Sequence, residues 1–208
     1  MTKIICISDT HSQNLLTKWQ WPECDILIHA GDLTAKGTKG SIENAARKMH
    51  ELPARHIVFV PGNHDRLFYE DPKEALKLLP GVIVLLDETV ELLGLRIYGT
   101  SWLRFKHGKF PFEIESLSEM FAKIPTNTDI LVTHSPPYGI MDLNGKGEHL
   151  GSDSLLREIK DRVKPKLHVF GHTHRGYGSM KVWDTQFVNG SLVDEDHEPN
   201  NQPILVEI

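Results

Sequence analysis

Basic residues are in deficit. Lys and Arg number 23 against 28 Asp and Glu, a formal net charge of −5. That balance argues against a general nucleic-acid binder, which needs a basic face. It leaves room for a small phosphorylated substrate, because bound cations reverse the sign locally. Cysteine is scarcer still. Cys6 and Cys24 are too few for a disulfide framework and sit at no metal-ligand spacing, so two buried free thiols in a reducing compartment, the cytoplasm, are expected. No apolar stretch approaches the length of a membrane span. The opening run Met1 to Ile7 is short, lacks a small-residue cleavage site and meets Asp9 at once, so it is not read as a secretion signal. The glycosylation pattern Asn189-Gly190-Ser191 is then a chance match. Repeats, low-complexity segments and linkers are also missing. A length of 208 residues with 39% hydrophobic content suits one globular domain with a substantial core, read as spanning 1–208.

What is present is an alternation. Apolar runs rich in Ile, Val and Leu end in clusters of Gly, Asp, His and Pro: Lys3 to Ile7, Asp25 to Ile28, His56 to Val60, Asp129 to Thr133 and Leu167 to Phe170. Short continuous apolar runs read as strands buried on both faces. Val82 to Leu86, Glu88 to Leu92 and Leu95 to Gly99 follow one another as antiparallel neighbours would, and Val182 to Asp184, Gln186 to Val188 and Ile204 to Glu207 read as closing strands. Helices are predicted over Ser41 to Glu51, from the N-cap Asp71 with Pro72 and Glu74 behind it, from a capping box at Ser116 towards Lys123, and from Ser152 through Arg162. Asp194 to Gln202 is polar and reads as a loop. The expected class is α/β, with two central mixed β-sheets flanked by helices in four layers.

The polar residues that matter follow strands, the end of an α/β sheet where ligands sit. Five clusters occur in order: Asp9-x-His11, Gly31-Asp32, Gly62-Asn63-His64-Asp65, His134, and Gly171-His172-Thr173-His174. Asp-x-His alone is expected about once by chance in such a chain, whereas Gly-Asn-His-Asp is expected on the order of once in several hundred. Imidazole, carboxylate and one amide oxygen, without thiolate, suit manganese, iron or zinc. His172 and His174 would point opposite ways on an extended segment and so serve different ions. Glycines at 31, 62 and 171 would let the backbone turn sharply after each strand.

The order D-x-H, G-D, G-N-H-D, H, G-H-x-H over residues 9 to 174 resembles the calcineurin-like metallophosphoesterase superfamily. His134-Ser135-Pro136-Pro137-Tyr138-Gly139, the run Pro165 to His172 and Gly176-Tyr177-Gly178 are similar to a short branch of metallophosphoesterase-domain proteins, itself similar to class III cyclic-nucleotide phosphodiesterases. The resemblance implies two divalent metal ions. Asp9, His11, Asp32 and His174 would hold the first, and Asp32, Asn63, His134 and His172 the second, with Asp32 bridging. A bridging water would lose a proton near neutral pH and attack phosphorus in line. His64 would be the general acid that protonates the departing oxygen, with Asp65 as one candidate for orienting it. The Asp-Arg-Gly of phosphoprotein phosphatases is replaced here by Asp32-Leu33-Thr34, which counts against a protein phosphatase.

Arg66 and Arg175, directly after site motifs, are candidates for gripping a phosphate oxygen, and His149 for lining the pocket. His50, His56, His107 and His197 read as ordinary surface residues, and His29 and His168 as satisfied core histidines. Trp102, Phe105, Tyr138 and Tyr177 are candidates for stacking on a base, though aromatic packing under loops is commoner. The expected activity is phosphodiester hydrolysis on small diesters such as cyclic nucleotides. The alternatives are a phosphomonoesterase or dinucleotide polyphosphate hydrolase, and a non-enzymatic scaffold of the same fold, as a retromer subunit is.

Overall fold

A computed structural model describes residues 1–14, 21–103 and 117–208. The predicted cap at Ser116 and the residues Phe105 and His107 lie outside them. Among the described residues, eleven strands form two sheets. The first contains β1 (Lys3–Ile7), β2 (Cys24–His29), β3 (Ala54–Phe59) and the two-residue β4 (Ile83–Val84) in parallel, with β11 (Ile204–Glu207) antiparallel beside β1. In the second, β6 (Leu95–Thr100), β7 (Ile130–Thr133), β8 (Leu167–Phe170) and β10 (Thr185–Asn189) are parallel. Antiparallel β5 (Glu88–Leu92) and β9 (Gly178–Val182) flank them.

The two-residue period of a strand sends alternate side chains to opposite faces. Ile4, Cys6, Ile26, Ile28, Val58 and Val60 therefore pack between the sheets against Ile97, Ile130, Val132, Leu167, Val169 and Val188. Their alternates Ile5, Ile7, Leu27, Ile57 and Phe59 meet Ile42, Ala45, Ala46 and Met49 of α1 (Lys39–His50), whose apolar stripe follows the helical period. On the far side Leu131, Phe170 and Phe187 meet Phe121 of α4 (Leu117–Phe121) and Leu155 of α5 (Asp153–Arg157). The four-layer α/β architecture is that expected.

The helix caps behave as their chemistry requires. Asp71 Oδ1 accepts from Glu74 N–H at the start of α3 (Pro72–Lys77), and Ser152 Oγ accepts from Leu155 N–H at the start of α5. The α5 helix then widens into a π-helical turn over Glu158–Val163, ended by the left-handed Lys164. The short α2 (Leu67–Glu70) was not anticipated.

Two strand assignments change. β4 does not join β5 and β6 as an antiparallel neighbour. It pairs in parallel with β3, and the chain crosses to the second sheet just after it. The predicted strand Val182 to Asp184 is instead the end of β9 and a tight turn: Trp183 has φ +53° and the hairpin closes between Val182 and Thr185. β9 itself begins earlier, at Gly178.

Candidate active site

The parallel strands β1, β2 and β3 of one sheet and β7 and β8 of the other end on the same rim, and each is followed by one motif. The structure brings all five together. The centre is Asp32 Oδ2, which lies 3.4 Å from His134 Nε2, 3.8 Å from His11 Nε2 and 4.0 Å from His64 Nε2. On one side His11 Nε2 is 3.4 Å from His174 Nε2, and Asp9 Oδ1 is 4.0 Å and 3.5 Å from those two atoms. On the other side Asn63 Oδ1 lies 3.1 Å from both His134 Nε2 and His172 Nδ1.

This donor set fits cations. Donors each about 2.1 Å from one ion are about 3 to 4 Å apart, the spacing found on each side of Asp32. The ring nitrogens away from the centre are also fixed. His134 Nδ1–H donates to the Ala30 carbonyl at 2.8 Å, and His174 Nδ1–H to the Asp194 carbonyl at 2.9 Å. That turns each Nε2 inward, where a cation would displace its proton, the arrangement by which outer partners set the tautomer of a metal-bound imidazole. His172 reaches the cluster through Nδ1.

The backbone under the cluster is strained. Asp9, His11, Asp32 and His172 have φ of +51°, +45°, +53° and +68°. Left-handed backbone costs a non-glycine residue about 1–2 kcal/mol and persists only where its surroundings enforce it. The segment at His172 is therefore not extended. A left-handed residue followed by a 3₁₀ turn over His174–Gly176, rather than strand alternation, separates the two imidazoles. Of the three motif glycines only Gly31 turns through positive φ, at +98°. Gly62 and Gly171 permit close approach instead: a Cβ on Gly62 would lie 2.3 Å from Asp32 N, and one on Gly171 2.2 Å from Asp9 Oδ2.

Charge follows from this packing. Burial opposes ionisation of Asp9, but the hydrogen bond from His174 and the charge of His134 outweigh it and bring its pKa down to about 2. Burial is likewise overcome at Asp32, where His134 holds the carboxyl well below its ordinary range. Burial would lower His134, yet Asp32 and Asp9 raise it to about 9. At His174 burial is again outweighed by Asp9, and the shift is upward. Burial dominates at His11 and His172, both drawn down to about 4 and so kept neutral as donors.

His64 stands at the open edge of the cluster. Its ring centroid is 4.8 Å from that of His11, and its backbone N–H donates to Asp32 Oδ1 at 2.8 Å. The ring is oriented by the Ala35 carbonyl, which accepts from Nδ1 at 2.9 Å. Asp65 does not orient it. Asp65 is fully buried behind the motif, where Oδ1 accepts from Thr34 N–H and Thr34 Oγ1–H and Oδ2 from Leu33 N–H and Gly62 N–H. It braces the Asp32 loop against the Asn63 loop. Burial and the Asp32 charge push its carboxyl up to about 6 against those four donors.

The three substrate-binding candidates contact other residues. Arg66 pairs with Glu70 at 3.1 Å on α2, and Arg175 approaches the Gly145 carbonyl at 3.5 Å. His149 Nδ1 is 2.8 Å from the buried Asp142 and its ring is 4.6 Å from that of Tyr138. Trp102 bonds Asp87, and Tyr177 bonds the Gln202 carbonyl.

Three histidine readings are refined. His29 and His168 are buried core residues, as expected, but each is satisfied at one nitrogen only. Their Nε2 atoms lie 3.0 Å from Thr10 Oγ1 and 2.9 Å from Thr133 Oγ1. Both hydroxyls already donate to carbonyls, of Leu33 and Ser135, so each Nε2 is the donor and each unpaired Nδ1 is a bare lone pair. His197 is exposed, as expected, but it is not remote from the site: its ring stands 5.1 Å from that of His11 and 4.9 Å from that of His174. It sits in a polar loop without a motif, so nothing in the sequence marked it.

The chain is similar to known proteins. The calcineurin-like phosphoesterase family matches residues 2–176. Human metallophosphoesterase domain-containing protein 1 is 33% identical over 234 residues, covering 100% of this chain and 71% of that protein. A UPF0046 protein of Caenorhabditis elegans is 33% identical over 227 residues, covering 99% of this chain and 80% of its own. Among solved structures, a novel archaeal phosphodiesterase aligns with a TM-score of 0.45 at 17% identity, covering 98% of this chain and 99% of that one. With a histidine and aspartate cluster able to hold metal ions at the rim of its two sheets, this chain belongs to the calcineurin-like phosphoesterase family and is a metal-dependent hydrolase of phosphoric esters.

Proposed function

We propose that the chain is a phosphodiesterase acting on small diesters, cyclic nucleotides among them. Asp9, His11, Asp32 and His174 would hold one divalent ion, and Asp32, Asn63, His134 and His172 the other. The observation that carries the two-ion reading is the position of Asp32 Oδ2 between two groups of donors spaced 3.1 to 4.0 Å apart. Manganese, iron and zinc suit these ligands. When bound, the ions supply Lewis acidity towards a phosphoryl oxygen and lower the pKa of a water to about 7.

The chain's own groups do the rest. The Ala35 carbonyl holds the His64 ring through Nδ1, so Nε2 faces the cluster. Protonated there, His64 gives its proton to the departing alkoxide oxygen. The preference for a diester follows from charge. A monoester dianion calls for additional cationic side chains at the phosphorus, whereas among the described residues Arg66 pairs with Glu70 on the surface and Arg175 approaches the Gly145 carbonyl, positions suited to contacts further out. One negative charge per phosphate is the better match. Arg66, His149 and Arg175 are the candidates for contacts beyond the phosphorus.

The test is a panel of diesters, cyclic nucleotides and monoesters assayed with manganese. Diester turnover is expected to exceed monoester turnover, and the reverse order overturns the diester reading. In the same panel His64→Ala should keep both ions. It should lose roughly 100-fold or more on alkoxide leaving groups and far less on nitrophenolate, which departs without a proton. Equal loss on both removes the acid role.

A further inference from the structure

His197 has no place in the set of eight residues discussed so far, yet the fold holds it against the first group. One ring nitrogen each from His11, His174 and His197 lie within 4.8 Å of one another. The placement is enforced from two sides. The Asp194 carbonyl accepts both the His174 Nδ1–H, at 2.9 Å, and the His197 backbone N–H, at 3.0 Å, so one atom positions both residues. From the Asp9–His11 loop, Gln13 donates its side-chain amide to the His197 carbonyl at 3.2 Å. The Asp194 carboxylate then closes the loop by accepting from Asp196 N–H, Glu198 N–H and Asn200 Nδ2–H. His197 itself is left-handed, with φ +60°, a conformation that costs free energy at a non-glycine position. Three imidazoles converging on one point from separate segments are the usual way a protein presents nitrogen donors to a soft or borderline cation.

We propose that His197 is a further protein ligand of the first cation, on its solvent side. The inference rests on the two-cation reading above. It makes the two positions chemically unequal. The first would have three imidazoles and two carboxylates. The second would have two imidazoles, one amide oxygen and the shared carboxylate. Nitrogen-rich sites favour zinc and cobalt over manganese, so the first position should be the more selective one.

The full-length chain, stripped of metal and titrated with zinc against a chelating dye, tests this. Wild type is expected to bind two ions. His197→Gly removes the ring while accepting the left-handed backbone. It should weaken one of the two zinc affinities on the order of 10-fold or more and leave the other unchanged. Manganese binding should fall less. The visible absorption of the cobalt-loaded protein should change with it, and free imidazole should restore both the affinity and the spectrum, which a merely structural role would not allow. His197→Asn, which also tolerates the left-handed region, guards against a loop made too loose by glycine. Two zinc affinities within twofold of wild type in both variants, with an unaltered cobalt spectrum, overturn this inference alone. A wild-type chain that binds fewer than two ions overturns the two-cation reading and this inference with it.

Discussion

Replacing Asp65 by asparagine changes one atom in a fully buried side chain and should separate two opposing effects. Both carboxylate oxygens accept two donors each, from Leu33, Thr34 and Gly62. An amide keeps one acceptor oxygen and turns an NH₂ towards the other two donors. Two charge-assisted hydrogen bonds are lost, at about 1.5–3 kcal/mol each, or roughly 3–6 kcal/mol together. Against this, the neutral amide would no longer repel the Asp32 carboxylate. Burial, and after it that repulsion, raise Asp65 from 3.8 to about 6 even against its donors, so neutralisation at pH 7 brings a relief that opposes the lost hydrogen bonds. In metal-free protein the two effects therefore partly offset. With cations on Asp32 its charge is already balanced, so the part of the shift that Asp32 causes is removed while the larger part from burial remains, and more of the hydrogen-bond loss is exposed. Urea denaturation at pH 7 with and without zinc or manganese reads the difference, provided the m-value is unchanged. Asp65→Asn should lower the stability of loaded protein more than that of stripped protein. Equal destabilisation in the two states, or none in the loaded one, refutes the brace.

Gly62→Ala should cost metal and activity while leaving the sheets intact, because its Cβ would strike the backbone and carboxylate of Asp32 at 2.3 Å; circular dichroism alongside metal analysis checks this. Gly40→Ala is the contrasting case: it lies in the first turn of α1 with nothing within 4 Å of the new Cβ, and should stabilise by about 0.5–1 kcal/mol in thermal denaturation. The metal-free chain should be most stable near the ordinary imidazole range. His134, raised from 6.5 to about 9, contributes stability that is complete below 6.5 and lost as pH rises through 9. On the acid side His11 and His172, lowered to about 4, and His29 and His168, lowered to about 3, are protonated first in the unfolded chain, so stability falls as pH drops below 6.5. Melting temperatures of chelator-treated protein that climb steadily to pH 9.5 contradict the assignment for His134. Ligating imidazoles must be neutral, so dialysis well below the imidazole range should strip the ions; metal content unchanged there tells against histidine ligation.

That the seven candidate donors and His64 come together was legible because each stands in a short motif at a strand end, where β-sheet geometry collects side chains on one rim. Other features left no mark in the sequence. His197 lies in a loop whose shape comes from Asp194 bonding its own neighbours, and a loop of Asp, Glu, His, Pro and Asn looks the same whether or not it touches the centre. The partner of His64 is a main-chain carbonyl, and every residue has one, so Ala35 gave no sign. Asp65 adjoins His64 in the chain, but the turn that bonds Asp65 N–H to the Gly62 carbonyl carries its side chain behind the motif. β4 was assigned to the wrong sheet because the apolar run Val82 to Leu86 serves both: Ile83 and Val84 pair with β3, and Leu85 then packs beside Gly99 of β6. The turn at Trp183 was read as strand because a bulky aromatic rarely adopts positive φ.

The left-handed backbone at Asp9, His11, Asp32 and His172 bears on how lapsed members of this family can be recognised. Besides glycine, the side chains that tolerate that conformation best are Asn, Asp and His, which are also the side chains that bind cations. At these four positions the peptide shape alone would keep such residues in place long after hydrolysis had been lost. Asn63, His134 and His174 have ordinary dihedrals, so no conformational demand protects them. Decay of the chemistry should therefore show first at those three, and an intact Asp-x-His near the N-terminus is weak testimony that a relative still turns over substrate.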